Sequence, residues 1–258
     1  MIWKSEYNEI CENIQVEGFS VSDVDCIAYF SNQVSSKIAE ADSSEQLRIH
    51  LAELEATGFD SSVLLTQQSS EVSRIRDWEI GEAIAETVLE DEHEAIFPWE
   101  TGWDKRTPKA SLPGADVVGL QNKKAPRFIF GQVKSSSENR VPPQVVSTSK
   151  DCLKYQMYHL RHVPVEQMQL IQWLLMRTRG TDWSSAFDEA LERYSQKDYY
   201  LVGLLVSGGR AADPNDLIGI CADIRHTADD GDVSLFGYYL PFDKERWIEM
   251  LQLREVSL

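Results

Sequence analysis

Four cysteines and five histidines in 258 residues, with no CxxC pair, are too little material for a disulfide scaffold or a structural zinc site. That usage fits a reducing cytoplasm. Long apolar runs are also missing. Leu201–Val206 is among the longest, well short of the roughly 18 residues a membrane span requires. The opening stretch, Met1-Ile-Trp-Lys-Ser-Glu-Tyr-Asn-Glu, has no basic segment followed by an apolar one, so no secretory signal is expected. Basic residues are scarce as well: 25 Lys and Arg stand against 42 Asp and Glu, for a formal net charge of -17. Taken whole, that balance argues against nucleic acid, whose binding normally leaves a basic footprint. A content of 42% hydrophobic residues with seven Trp is that of a folded globular chain, and not of a disordered one.

The charge is not evenly spread. Residues 1–100 hold 5 Lys/Arg and 22 Asp/Glu, residues 101–161 hold 11 and 4, and residues 162–258 hold 9 and 16. A basic middle therefore lies between acidic flanks, and Lys105, Arg106, Lys109, Lys123, Lys124, Arg127 and Arg140 in it are candidate nucleic-acid contacts. Charge clustering of this kind also arises from solvated surface lysines, and the Lys123-Lys124 loop reads equally as a soluble hairpin tip.

Periodicity predicts helices over Val21–Ala41, Ser44–Thr57 and Glu71–Glu92, the last with the stripe Ile75, Trp78, Ile80, Ala83, Ile84, Val88 and Leu89. From Ala95 the pattern shortens, and Ala95–Trp99, Ala115–Leu120 and Arg127–Val133 read as strands. Helices are expected over Ser147–Arg161, Pro164–Arg177 and Asp182–Ser195, and a doubly covered strand over Tyr199–Ser207. Asp216–Cys221 and Val233–Leu240 read as further strands and Lys244–Leu253 as a closing helix. The fold class is α/β with a helical N-terminal extension and a mixed C-terminal tail. Division falls at residues 1–68, an acidic helical extension, and 69–258, the main domain.

The segment Pro113-Gly114-Ala115-Asp116-Val117-Val118-Gly119-Leu120 is followed by Phe128-Ile129-Phe130-Gly131-Gln132-Val133-Lys134. Residues two apart along a strand share a face, so Gln132 and Lys134 project together. If the Asp116 strand pairs beside them, a carboxylate, an amide oxygen and an ammonium converge. Oxygen donors of this kind suit magnesium, and a lysine beside them can orient a water for attack on a phosphodiester. Glu82, on the preceding helix, supplies a further carboxylate. Each residue has a plainer role open to it: Asp116 as a turn cap, Lys134 as a solvated strand-end charge, Glu82 as an exposed helix residue. Gln132 within FIFGQV needs a hydrogen-bond partner if buried. Ser207-Gly208-Gly209-Arg210 reads as a structural turn before a phosphate cradle.

This constellation resembles the PD-(D/E)XK nuclease superfamily, in the QxK variant that Mrr-type restriction endonucleases also show. The resemblance covers about half of the chain, Glu71–Ser207, and implies a restriction-endonuclease-like core of helix, three strands, helix and strand. It places Asp116, Gln132, Lys134 and Glu82 at the catalytic positions, and implies Mg2+, or Mn2+ in its place, held by Asp116, Gln132, Glu82 and the Val133 carbonyl. RecB-like members carry a glutamine on the next helix; Gln156 falls near that position, in surroundings that do not clearly fit the motif. Glutamine in the QxK pair is neutral, which leaves Asp116 and Glu82 as the anionic ligands. The implied activity is endonucleolytic hydrolysis of DNA. Nuclease subunits of bacterial anti-phage defence systems, the Hachiman type among them, are similar in size and arrangement, which implies a protein partner such as a helicase or ATPase. The alternative is a catalytically degenerate nuclease fold, or an acidic protein that mimics DNA. The acids of residues 1–100 are further expected to cover the basic middle until a partner displaces them.

Overall fold

Strand β6, Tyr200–Gly208, carries no ionisable group but the Tyr200 hydroxyl, and every one of its residues is buried. Such a strand needs neighbours on both edges and cover on both faces. The computed structural model, which describes residues 2–40, 43–55, 57, 60, 62, 76–98, 114–148, 150–225 and 231–252, supplies both. β5 (Arg127–Ser136) and β7 (Asp232–Leu240) pair with β6 in parallel, and β2 (Ile14–Ser20) pairs in parallel with β7. β1 (Lys4–Cys11) lies antiparallel outside β2; on the other side β4 (Val117–Gln121) and β3 (Ala95–Ile96) continue the sheet antiparallel from β5. The result is a mixed seven-stranded sheet in the order β1-β2-β7-β6-β5-β4-β3.

Helices cover both faces. One layer contains α1 (Asp23–Tyr29), which passes through a π-helical turn at Phe30–Val34 into α2 (Ser35–Glu40), and α3 (Ser43–Glu55) follows in the chain. With α1 and the π turn lie α4 (Asp77–Glu92) and, from the far end of the chain, α9 (Lys244–Gln252). Here Ile80, Ile84 and Val88 of α4 pack with Trp247 of α9 against Val117, Ile129 and Val202. The other layer holds α5 (Gln144–Ser147), α6 (Leu153–His162), α7 (Pro164–Thr178) and α8 (Ser184–Ser195), over Phe128, Phe130, Leu201 and Leu205. Among the described residues, no helix is long and apolar enough to cross a membrane.

The architecture is α/β, and α4 carries the apolar stripe read from the sequence, apart from Trp78, which is half-buried, and Ile75, which lies outside the described residues. Other segments differ. The helical N-terminal extension begins with two strands, β1 and β2. Ile14 and Val16 are fully buried while Gln15 between them is exposed, the period of a half-buried strand. Glu12 and Asn13 turn the hairpin with φ of 52° and 63°, the pair of positive values that a two-residue hairpin turn requires. Gly18 is needed because the Tyr7 ring crosses it: a Cβ there would fall 2.1 Å from Tyr7 Cε1. Asp216–Cys221, expected as a strand, instead forms two short 3-10 turns, Pro214–Asp216 and Ile218–Ile220. Pro214 lacks an N–H for a ladder, and the Asp213 side chain accepts from Asn215 N–H, which starts the turn. The helix expected over Ser147–Arg161 is broken between α5 and α6, and Cys152 is the N-cap of the second piece. Ala95–Trp99 is reduced to the strand Ala95–Ile96, with Trp99 outside the described residues.

Because β2 pairs with β7, Ile14 is a core residue of the main sheet. Ile14→Ala should lower the free energy of unfolding by about 2–5 kcal/mol, measured by denaturant titration. A second outcome concerns His93, the C-cap of α4. Its ring stacks on Phe236 at 4.1 Å and its Nε2 meets the Tyr238 hydroxyl at 2.7 Å. Burial lowers its pKa from 6.5 to about 4, so the unfolded chain takes up this proton first as the pH falls. Stability from this group is complete above about pH 6.5 and is lost toward pH 4, by about 3 kcal/mol across the window. The loss between pH 7 and pH 5 should shrink in His93→Gln, measured by unfolding at both values.

Candidate functional site

β5 leaves the sheet interior with Gln132, Val133 and Lys134, just where β4, its antiparallel neighbour, begins at Val117. In register Val117 faces Gly131, yet Asp116 N–H also donates to Gly131 O, at 3.0 Å. Asp116 thus sits off the regular ladder at the mouth of the strand. Its Oδ2 accepts the Val133 N–H at 2.9 Å, which fixes the carboxylate at the sheet edge. The N–H and C=O of one strand residue leave on the same side. The Val133 carbonyl is therefore directed to the edge that Asp116 occupies.

Gln132 is 3% exposed, and its partner is found: Nε2 donates to Gly114 O at 2.8 Å. Gly114 takes a φ of 95°, a value that favours glycine. The amide thus pins the turn that delivers Asp116 two residues later. The Nε2 end is used in this bond, and the Oε1 end is the part a cation would use.

The two faces of β5 divide the remaining candidates. Ile129 and Val133 belong to the layer of α4, and Phe128 and Phe130 to the layer of α6–α8. By alternation Gln132 and Lys134 share the second face, as expected, with Lys134 half-buried. Glu82 comes from the other side. Its neighbour Gly81 packs directly on β5, where a Cβ would fall 1.9 Å from Ser135 Oγ, so the helix approaches that strand as closely as it can. Glu82, half-buried, is brought to the same end of β5 from the opposite layer. Asp116, Gln132 and Val133 therefore meet at the strand edge, while Lys134 and Glu82 flank it from the two faces.

The basic candidates are dispersed. Lys105, Arg106 and Lys109 lie outside the described residues. Lys123 and Lys124 are exposed in the β4–β5 turn, at the far end of the strand from Lys134. Seven residue steps from Arg127 to Lys134 amount to about 23 Å. Arg127, expected on a phosphate-contacting loop, is instead bound to protein. Its Nη1 lies 3.2 Å from Asp198 and 2.5 Å from Asp232, its Nε donates to Gln121 at 3.0 Å, and its guanidinium stands 5.1 Å from the Tyr200 ring centroid. Arg140 is exposed on the loop after β5, at the Lys134 end.

One cluster escaped the sequence reading. Beyond β6, Arg210 pairs with the buried Asp216 and donates from Nε to Ser207 Oγ at 2.8 Å. The Tyr239 hydroxyl donates to Asp216 Oδ2 at 2.8 Å, and the Tyr7 hydroxyl lies 3.1 Å from that of Tyr239. Burial raises the pKa of Asp216, against the pull of Tyr239 and Arg210. Its residues are spread from position 7 to 239, and their spacing carried no signal. With its guanidinium so engaged, Arg210 makes Ser207–Arg210 a structural turn.

Among the described residues no three His, Cys, Asp or Glu side chains gather as a metal-holding group. The donors at the strand edge are one carboxylate, one amide oxygen and one peptide carbonyl, with Glu82 nearby. All are oxygens, the set that fits a hard divalent cation that keeps several waters. Compared with protein-family models and with curated proteins, the sequence matches none.

Asp116→Ala removes the acceptor of the Val133 N–H and should cost about 1–3 kcal/mol in unfolding free energy. Asp116→Asn keeps an oxygen acceptor and should cost less, by the same titration.

Proposed function

We propose that the chain is a metal-dependent nuclease that hydrolyses DNA phosphodiester bonds, as the nuclease subunit of a complex with a helicase or ATPase of the kind found in anti-phage defence. The carrying observation is the junction of β4 and β5, where the Asp116 carboxylate is held on the Val133 backbone between Gln132 and Lys134. The element order supports the same reading. Helix α4, the antiparallel strands β3, β4 and β5, the helices from α5 onward and the parallel strand β6 follow one another as the resemblance to PD-(D/E)XK nucleases anticipates.

Asp116, the Gln132 amide oxygen, the Val133 carbonyl and Glu82 would hold Mg2+ or Mn2+. Such an ion, when bound, supplies Lewis acidity toward a phosphoryl oxygen and lowers the pKa of a coordinated water. The chain's own residues set the stage. The Val133 N–H fixes the direction of the Asp116 carboxylate before any substrate arrives. Gln132 acts as a positioning residue, since its hold on Gly114 O anchors the turn before Asp116. Lys134 brings a positive charge to the same end of β5, where it would attract a phosphate oxyanion and orient the attacking water. A second reading, a non-catalytic DNA-binding or DNA-mimicking subunit with a degenerate nuclease fold, is favoured by the neutral Gln132, whose amide already serves Gly114.

Incubation of the protein, alone and with its partner, on linear and circular DNA in Mg2+, Mn2+ or EDTA separates the two. Metal-dependent cleavage that falls by about 100-fold or more in Lys134→Ala supports the nuclease. Cleavage that survives both Lys134→Ala and Asp116→Ala overturns the site, and binding without cleavage in any metal supports the second reading.

A further inference from the structure

The four cysteines are far apart in sequence, but the fold brings two of them together. Cys11 ends β1, and Cys221 follows the turn Ile218–Ile220. Cys11 Sγ donates to Ile218 O at 3.9 Å, and Cys221 N–H donates to the same oxygen at 3.1 Å. The Cys11 side chain and the Cys221 backbone thus meet at one carbonyl, and both residues pack against the same apolar cluster with Ile14, Leu217 and Ile220. Cys26 belongs to the opposite layer, and Cys152 caps α6. Both members of the pair are free thiols, Cys11 half-buried and Cys221 buried.

We propose that Cys11 and Cys221 form a redox-modification site, at which a low-molecular-weight peroxide converts the two thiols into an intramolecular disulfide. In the first step the Cys11 sulfur attacks one oxygen of hydrogen peroxide and the O–O bond breaks. Cys11 becomes a sulfenic acid, and the second oxygen leaves as water after taking the thiol proton. In the second step the Cys221 sulfur attacks the Cys11 sulfur, the S–O bond breaks and the S–S bond forms. The departing hydroxide takes the Cys221 proton and leaves as water. Two thiols lose two electrons and two protons in all, and one peroxide is reduced to two waters.

Exposure sets the order of the steps. Cys11, half-buried on an edge strand, is within reach of a small oxidant. Burial pushes the Cys221 thiol up to about 12, so it stays protonated and is not the thiol that peroxide attacks first. The cross-link would tie β1, which is paired on one side only, to the turns that follow Arg210. This site is independent of the nuclease reading.

The test is peptide mapping of the full-length protein, reduced, exposed to hydrogen peroxide, alkylated and digested without reductant. The expected product is a linked peptide that joins Cys11 to Cys221, in a monomer whose intact mass is lower by two hydrogens, reversed by dithiothreitol. Cys11→Ser should abolish the link, and Cys26→Ser and Cys152→Ser should retain it. Oxidation of Cys11 to sulfinic or sulfonic acid with no link, a dimer joined through Cys11, or a link to Cys26 or Cys152 would each overturn the proposal. The map of the native chain decides the matter even if Cys221→Ser does not fold.

Discussion

Every residue of strand β6 is buried, and much of the architecture follows from covering it. Two parallel neighbours satisfy its edges, and parallel pairing demands long crossovers. The crossover from β5 to β6 carries α5 to α8 and so builds one helical layer. The crossover from β6 to β7 contains only short 3-10 turns among its described residues, so cover on the other face comes from the early helices and α9. Parallel strands also end together. Ser136, Gly208 and Leu240 finish β5, β6 and β7 on the same side of the sheet, and the Arg210–Asp216 cluster forms there. In open α/β sheets that side is where ligands bind.

The two ends of β5 are treated oppositely. At its start, Arg127 is pinned by Asp198 and Asp232, and Arg193 also pairs with Asp198. Acids and bases neutralise one another there and join the beginnings of β5, β6 and β7. At the other end β4 stops short, and the backbone of Val133 is closed by a carboxylate in place of a neighbouring strand. The basic excess of residues 101–161 is thus divided. Arg127 is spent on structure, and Lys134 lies toward the other end of β5, half-buried. The count of charges in that segment overstates the field at the strand end.

What could be read from the sequence was what depends on local pattern. The α4 stripe, the buried β6 and the shared face of Gln132 and Lys134 follow from local pattern, and the structure has them. The Ile14–Val16 alternation was equally local, yet β1 and β2 were missed. A seven-residue segment with Glu17 at its centre gives a weak signal, and its pairing with β7 lies more than 200 residues away. Asp216–Cys221 failed for the opposite reason: an apolar run looked like a strand, but Pro214 and Asp213 had already started a turn. At the site, the residue types were legible and their arrangement was not. Pairing in register put Asp116 beside Gln132, but the hydrogen bonds that decide their roles run to the backbone of Val133 and Gly114. Side chain to backbone bonds of this kind leave no periodic trace.

The acid excess can now be placed physically. Glu6 accepts from Lys4 and Ser20, and Glu17 from Asn8 and Gln15; Lys37 pairs with Glu90 and Glu86, and Tyr29 donates to Asp91. These carboxylates are engaged near where they stand. β1 is four strands from β5, about 19 Å at the usual strand spacing. That exceeds the Debye length of about 8 Å in physiological salt, so the β1 acids cannot cover Lys134 by contact. β1 and β2 also belong to the sheet, so they are not a removable lid: a chain without residues 1–68 would lose Ile14 and Val16 from its core. The acids act instead as a screened repulsion toward any polyanion that approaches that side. For a DNA-cleaving role, this penalises loose phosphate binding across that side of the surface. If the proposed nuclease reading holds, a partner that engages DNA would offset that repulsion, which is why one belongs in the proposal.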